Sequence, residues 1–230
     1  MNVIDPTGLE FTPESADDLA ALESEIVLRL FKNNRRISKL EKKNSDKGES
    51  KARNRRIDRK KAENEALTEV ASELQVLAAS DQVYNITHSD RLNTDDYLRS
   101  GTEFNFGTGA VDITLCDSSL GMLAHELKHA YQFETGSYSL GPKKYIFYDI
   151  TDEQEAYNRG ALFGAKKKGI EAIKKEYDIP VGPLDYKNHP DFMYIYNNPS
   201  VLTKAVKNVG RMVKDEKSRL VFRINGQTYY

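Results

Sequence analysis

The stretch from Leu120 to Gly136 constrains this chain more than any other, because its centre reads His125-Glu126-Leu127-Lys128-His129. On a helix, residues four apart project from one face, one above the other. Asp117, Ser118 and Ser119 offer N-caps before that helix, and Gly136 offers a left-handed stop after it. Leu120, Leu123, Leu127, Ala130 and Glu134 fall on one stripe, apolar except at its end. Met122, His125, Glu126, His129 and Gln132 lie toward the opposite side. The spacing therefore predicts a helix with a core face and a chemical face.

Two neutral imidazoles stacked in this way are a Zn²⁺ chelate, and bound zinc lowers the pKa of a water toward ~7. Glu126 sits one residue further round, placed to take that water's proton without being a ligand. The whole string resembles the H-E-x-x-H of zinc peptidases. One class of those enzymes takes a third His six residues after the second, but position 135 is Thr135 here. The other class, the Glu-zincins, takes a Glu from a downstream helix. Thr151-Asp152-Glu153-Gln154-Glu155-Ala156-Tyr157 is similar to that segment in its Glu-x-x-Ala order. The resemblance implies Glu153 as the third ligand, with Ala156 letting two helices approach. Glu155 is the alternative ligand. Related families follow the Ala with Asp, where this chain has Tyr157. Acidic residues such as Asp152 and Glu155 also suit a helix N-terminus electrostatically.

Composition sets the remaining bounds. A chain of 230 residues is long enough to bury a core, and its net charge of −1 asks for neither nucleic acid nor membrane. The single cysteine, Cys116, excludes an internal disulfide framework and is expected to end a strand as a small hydrophobe. No apolar run is long enough to span a membrane, and no signal peptide is expected at the start.

Along the chain, Pro13-Glu14-Ser15 opens a helix that carries Leu19, Leu22, Ile26, Leu30, Ile37 and Leu40 at helical spacing to about Lys43. A break at 44–50, containing Gly48, leads to a second helix over about 51–79, with Leu67, Val70, Leu74 and Leu77 inward. The pair predicts an antiparallel αα-hairpin with a basic tip. From residue 81 the period changes to that of strands: 83–87, 102–106 and 110–116, the last two joined through Gly107-Thr108-Gly109. An edge strand of this sheet offers pairing to an extended substrate backbone. His88 reads as a surface histidine. Residues 152–177 predict a long helix, 179–199 an irregular segment, 200–213 a helix, and 220–224 with 228–230 a hairpin around Asn225-Gly226. His189, Tyr194 and Tyr196 in the irregular segment are the candidate donors to a developing oxyanion.

The opening string Val3-Ile4-Asp5-Pro6-Thr7-Gly8-Leu9 resembles the Asp-Pro-x-Gly-Leu junction that closes the core of Rhs/YD-repeat proteins. That resemblance implies a toxin domain carried at the end of a larger shell, acting in a target-cell cytoplasm and countered by a cognate immunity protein. The expected architecture is α+β: a junction remnant over 1–12, a helical hairpin over 13–80 and a zincin-like metallopeptidase domain over 81–230. The expected activity is zinc-dependent hydrolysis of a protein or peptide substrate. Hydrolysis of a non-peptide amide suits the same site. The rival expectation is an inactive zincin-like binding module that acts through its hairpin.

Overall fold

The computed structural model describes residues 13–80, 83–89, 100–104, 110–135 and 150–176, together with strands 211–214, 220–224 and 227–229. Helices α1 (Pro13–Lys47) and α2 (Lys51–Ala78) form the expected hairpin. Buried Leu22 and Ile26 of α1 meet Leu67, Val70, Leu74 and Leu77 of α2, and all of them share one core with the sheet and the helix that follows it. Higher up, only Ile37, Leu40 and Ile57 form a second, small cluster. Between the two clusters Asn33, 4% exposed, donates to Asn64 Oδ1 at 2.9 Å, a polar pair that fixes the register of the helices. Helix α1 runs one turn beyond its expected end at Lys43. Asn44 donates to Asn54 Oδ1 across the turn and accepts from Arg53, which ties the extra turn down. Gly48 then takes a φ of +76°, open to glycine at little cost, and stops the helix.

Strands β1 (Tyr84–His88), β2 (Gly101–Phe104) and β3 (Val111–Leu115) form a three-stranded sheet in the order β1-β3-β2. Strand β2 is antiparallel to β3, with Gly101 opposite Thr114, but β1 runs parallel to β3, with Tyr84 opposite Val111. The central strand alternates buried and half-buried residues, which places Val111, Ile113 and Leu115 in the core. The first turn of α1 covers the outer edge of β1. Buried Ser15 donates through Oγ to the Ile86 carbonyl at 3.1 Å and accepts from the Ile86 amide at 3.0 Å. His88 ends β1 beside Asp18 of α1, with Nε2 2.7 Å from the carboxylate.

Helix α3 (Leu120–Thr135) follows β3 after a short exposed link that includes Cys116. Ser119 is its cap: the Met122 amide donates to Ser119 Oγ at 3.2 Å. Burial of α3 is broader than its two-faced pattern predicts. His125 through Ala130 are all buried, because helix α4 (Ile150–Leu162) lies across the polar side. The expected long helix over 152–177 is two helices, α4 and α5 (Ile170–Glu176). The Ala165 amide donates to the Gly160 carbonyl at 3.1 Å and the Gly164 amide to the Ala161 carbonyl at 3.2 Å, while Gly164 adopts a φ of +97°. These are the bonds of a Schellman stop, which the apolar spacing of Leu162, Ile170 and Ile173 conceals.

Near the C-terminus, β4 (Arg211–Lys214), β5 (Leu220–Ile224) and β6 (Gln227–Tyr229) form an antiparallel sheet in that order. The terminal hairpin is as expected, with Ile224 opposite Gln227. Of the helix expected over 200–213, residues 200–210 lie outside the described residues, and Arg211–Val213 belong instead to β4, where Met212 pairs with Phe222. Ladder pairing with β5, invisible to local spacing, overrides the helical pattern there. The architecture is thus α+β, mostly helical with small sheets. No helix among the described residues is long and apolar enough to cross a membrane.

Candidate metal centre

Helix α3 supplies His125 and His129 one turn apart, with ring centroids separated by 5.0 Å and ring planes at 81°. Helix α4 crosses over them and lowers Glu153 into the same space. Its carboxylate oxygens lie 3.6 Å from His125 Nε2 and 3.8 Å from His129 Nε2. One ligand atom from each of the three buried residues lies within 4.8 Å of the others. Glu155 points elsewhere: it is largely exposed, 3.4 Å from Lys128 Nζ, and it accepts from Gln132 Nε2 at 3.2 Å. His189, Tyr194 and Tyr196 lie outside the described residues, as do residues 1–12 with their Asp-Pro-Thr-Gly turn.

The helices meet this closely because small residues face each other at the crossing. A Cβ added to Gly160 would stand 2.8 Å from the Gly121 carbonyl oxygen and 3.3 Å from His125 Cβ. A Cβ on Gly121 would stand 2.8 Å from Ala165 Cβ. Glu153, Ala156 and Gly160 recur at three- and four-residue spacing, so one stripe of α4 carries both the ligand and the close contact. Tyr157 belongs to that stripe as well. Its ring meets His125 edge-on at 4.7 Å, and its hydroxyl accepts from Lys168 Nζ at 2.7 Å. An aromatic wall thus stands directly after Ala156, beside the His125 ring.

Gln132 ties the two helices together at the ligands. Its Oε1 lies 2.8 Å from His129 Nδ1, and its Nε2 donates to the Asp152 carbonyl at 3.1 Å. With the Nδ1 proton directed at Gln132, His129 keeps its Nε2 lone pair for the side facing Glu153. Burial, aided by the neighbouring His129, holds His125 down to about 3, so its ring is neutral and available as a donor. Glu126 is 3% exposed, and burial pushes its carboxyl up to about 7. The Thr102 hydroxyl of β2 sits 3.0 Å from Glu126 Oε2 and 3.1 Å from the Glu126 carbonyl oxygen. Sheet and helix thereby fix the carboxylate's direction.

A buried ion network lies behind the ligands. Lys128 Nζ donates to Glu73 of α2 at 2.7 Å, and Arg159 of α4 reaches the same carboxylate at 2.9 Å. Arg159 also donates to the Ala66 carbonyl at 3.2 Å. Burial still holds Glu73 above its ordinary value, against the opposing pull of Lys128 and Arg159. Three helices are therefore joined through charges less than one-tenth exposed. Sequence spacing predicts neither this network nor the part of Thr102. The one available signal is Lys128, a second charged residue beside Glu126 in the five-residue centre of a buried helix.

Comparisons with protein-family models, curated proteins and solved structures gave no significant match. The residues and their geometry therefore carry the functional reading. The donor set suits a borderline-soft divalent ion: two imidazole nitrogens, one carboxylate, and a glutamine that orients one ring.

Proposed function

We propose that the chain is a zinc-dependent hydrolase of peptide bonds, of the Glu-zincin kind. His125, His129 and Glu153 hold the ion, and Glu126 serves as the base. The observation that carries this reading is the convergence of those three donors beside a second, non-ligating carboxylate, that of Glu126. Zinc bound there would supply Lewis acidity toward a carbonyl and acidify a water. Glu126, near neutrality in its pKa, takes a proton from water and returns it to the leaving amine. Thr102 keeps the carboxylate turned toward that work. Among the described residues, strand β2, which carries Thr102, is an edge strand of its sheet and suits the addition of an extended peptide.

Two measurements test the proposal. Purified protein should carry one zinc, and His125→Ala or His129→Ala should remove it. Glu126→Gln should retain zinc and fold while turnover of a denatured protein substrate falls by ~10²–10⁴. Stoichiometric zinc in the double histidine variant would remove the site, and unchanged turnover in Glu126→Gln would remove the base. Glu153→Ala should weaken zinc far more than Glu155→Ala does.

The opening string supports a further proposal, that the domain is the effector end of an Rhs-type toxin. Cytoplasmic expression of residues 17–230 should then inhibit growth, and the Glu126→Gln form should be tolerated. Equal tolerance of both forms in bacterial and eukaryotic hosts counts against it.

A further inference from the structure

A groove of about 510 Å³ lies between the upper halves of α1 and α2, far along the hairpin from the ligands. Lys32 and Arg36 of α1 line it from one side, Arg56, Arg59 and Lys60 of α2 from the other, and no carboxylate is among the lining residues. Lys60 is partly neutralised by Glu63 at 2.7 Å. Among the described residues, Lys32, Arg36, Arg56 and Arg59 make no ion pair. Neighbouring cations are engaged instead: Lys61 pairs with Glu41 at 3.3 Å, and Arg53 donates to Asn44 and to the Gly48 carbonyl. Four unpaired cations facing one cleft repel one another, and an anion in the cleft relieves all of them together.

We propose that this groove binds a compact anion carrying several phosphate groups. The footprint decides between ligand classes. Lys32 and Arg36 are one turn apart, as are Arg56 and Lys60, so the charges span about 6 Å along each helix and one interhelical width of ~8–10 Å across. A volume of about 510 Å³ falls within the range of small-molecule sites, ~300–1,000 Å³. Three guanidinium groups suit phosphate oxygens, which they grip in pairs. A duplex binder needs a longer rail of roughly 6–10 phosphate contacts. A single-strand binder needs aromatic platforms, and the lining holds none. A protein partner wants an apolar centre in ~800 Å² of contact, whereas Leu40 is the one apolar lining residue.

The test uses the full chain and sodium tripolyphosphate in isothermal titration calorimetry. Two triple variants are titrated beside the wild type, so that zinc chelation by the probe is common to all three. Arg36→Gln/Arg56→Gln/Arg59→Gln empties the groove of guanidinium groups. Lys42→Gln/Lys43→Gln/Lys47→Gln removes equal charge from exposed positions of α1 outside it. The expected result is micromolar binding that the groove variant weakens about 10-fold or more, and the control variant about 2-fold or less. Vesicles bearing a bisphosphorylated inositol lipid are a second arm. Arginine-dependent capture of those vesicles would assign the phosphates to a headgroup and uphold the groove. Equal weakening in both triple variants, no binding by the wild type, or tighter binding of a 20-base-pair duplex through the same arginines would overturn the proposal. Circular dichroism confirms that both variants fold.

Discussion

At its base the α1–α2 hairpin buries Leu22, Ile26, Leu67 and Leu74 against the sheet and α3, and even its charges are paired there. At its tip the same two helices bury three side chains, and unpaired cations face each other across a groove. The difference teaches what each end is for. A buried charge that loses its partner is costly, so the base holds Lys128 and Arg159 only with Glu73 between them. An exposed charge is nearly free in water, so the tip tolerates crowding that the base could not.

The largest expected contrast breaks the comparison at its charges. Glu73→Ala leaves Lys128 and Arg159 buried with only weaker partners, and should cost about 3–5 kcal/mol in urea unfolding. Glu41→Ala removes the exposed ion pair with Lys61 and should cost less than ~1 kcal/mol. Similar losses for the two would mean that the hairpin is stabilised evenly along its length.

A glycine at each end sharpens the contrast. Gly160→Ala drives a Cβ to 2.8 Å from the Gly121 carbonyl oxygen, where only movement of α4 gives relief. It should cost about 1–3 kcal/mol and weaken zinc, because the same stripe carries Glu153. Gly48→Ala meets no atom within 4 Å but holds alanine at a φ of +76°. It should cost roughly 1–2 kcal/mol and leave zinc affinity unchanged. Competition with a chromophoric chelator reads both.

Gln132→Ala should lower zinc affinity by ~10–100-fold, since His129 loses its orienting partner and α4 one of its ties. The Asn33→Ala variant, which breaks the register pair of the hairpin, should leave zinc affinity alone. An equal loss in both would show the centre to be sensitive to any defect in the hairpin.

The smallest effect lies between the two ends, at Glu63. Burial opposes its ionisation, yet hydrogen bonds from Lys60, Arg29 and Asn33 outweigh it and hold the carboxyl down to about 2, against an ordinary 4.5. A depressed carboxyl stabilises the fold above its unfolded value. That contribution is fully present above pH 4.5 and is lost as pH falls through about 2. Partial exposure limits it to less than ~1 kcal/mol. The gap in urea midpoint between wild type and Glu63→Gln should therefore narrow steadily as pH falls from 5 toward about 2, and a constant gap would contradict the assignment.

Legibility in the sequence follows the reach of each interaction. The α3 helix and its two histidines are readable because residues four apart meet whatever the rest of the chain does. The hairpin is readable for the same reason, up to the turn that Asn44 and Asn54 extend. Glu153 is legible only through the likeness of its Glu-x-x-Ala order to the downstream helix of Glu-zincins, with Glu155 as the alternative. Thr102 reaches Glu126 across 24 positions and Lys128 reaches Glu73 across 55, and no local pattern encodes such meetings. The parallel pairing of β1 with β3 is hidden in the same way. Gly164 was open to inspection, but the apolar period running through it masked its stop.

The part-buried Asn33–Asn64 pair divides the hairpin into two parts under different structural constraint. Above it, matched losses of whole turns from both helices would remove the groove yet leave every ligand, the base and the ion network where they stand. Below it, no such trimming is open, because Glu73 must stay opposite Lys128. The tip is thus a separable accessory on a fixed mount, its length set by nothing in the metal ligands or the ion network.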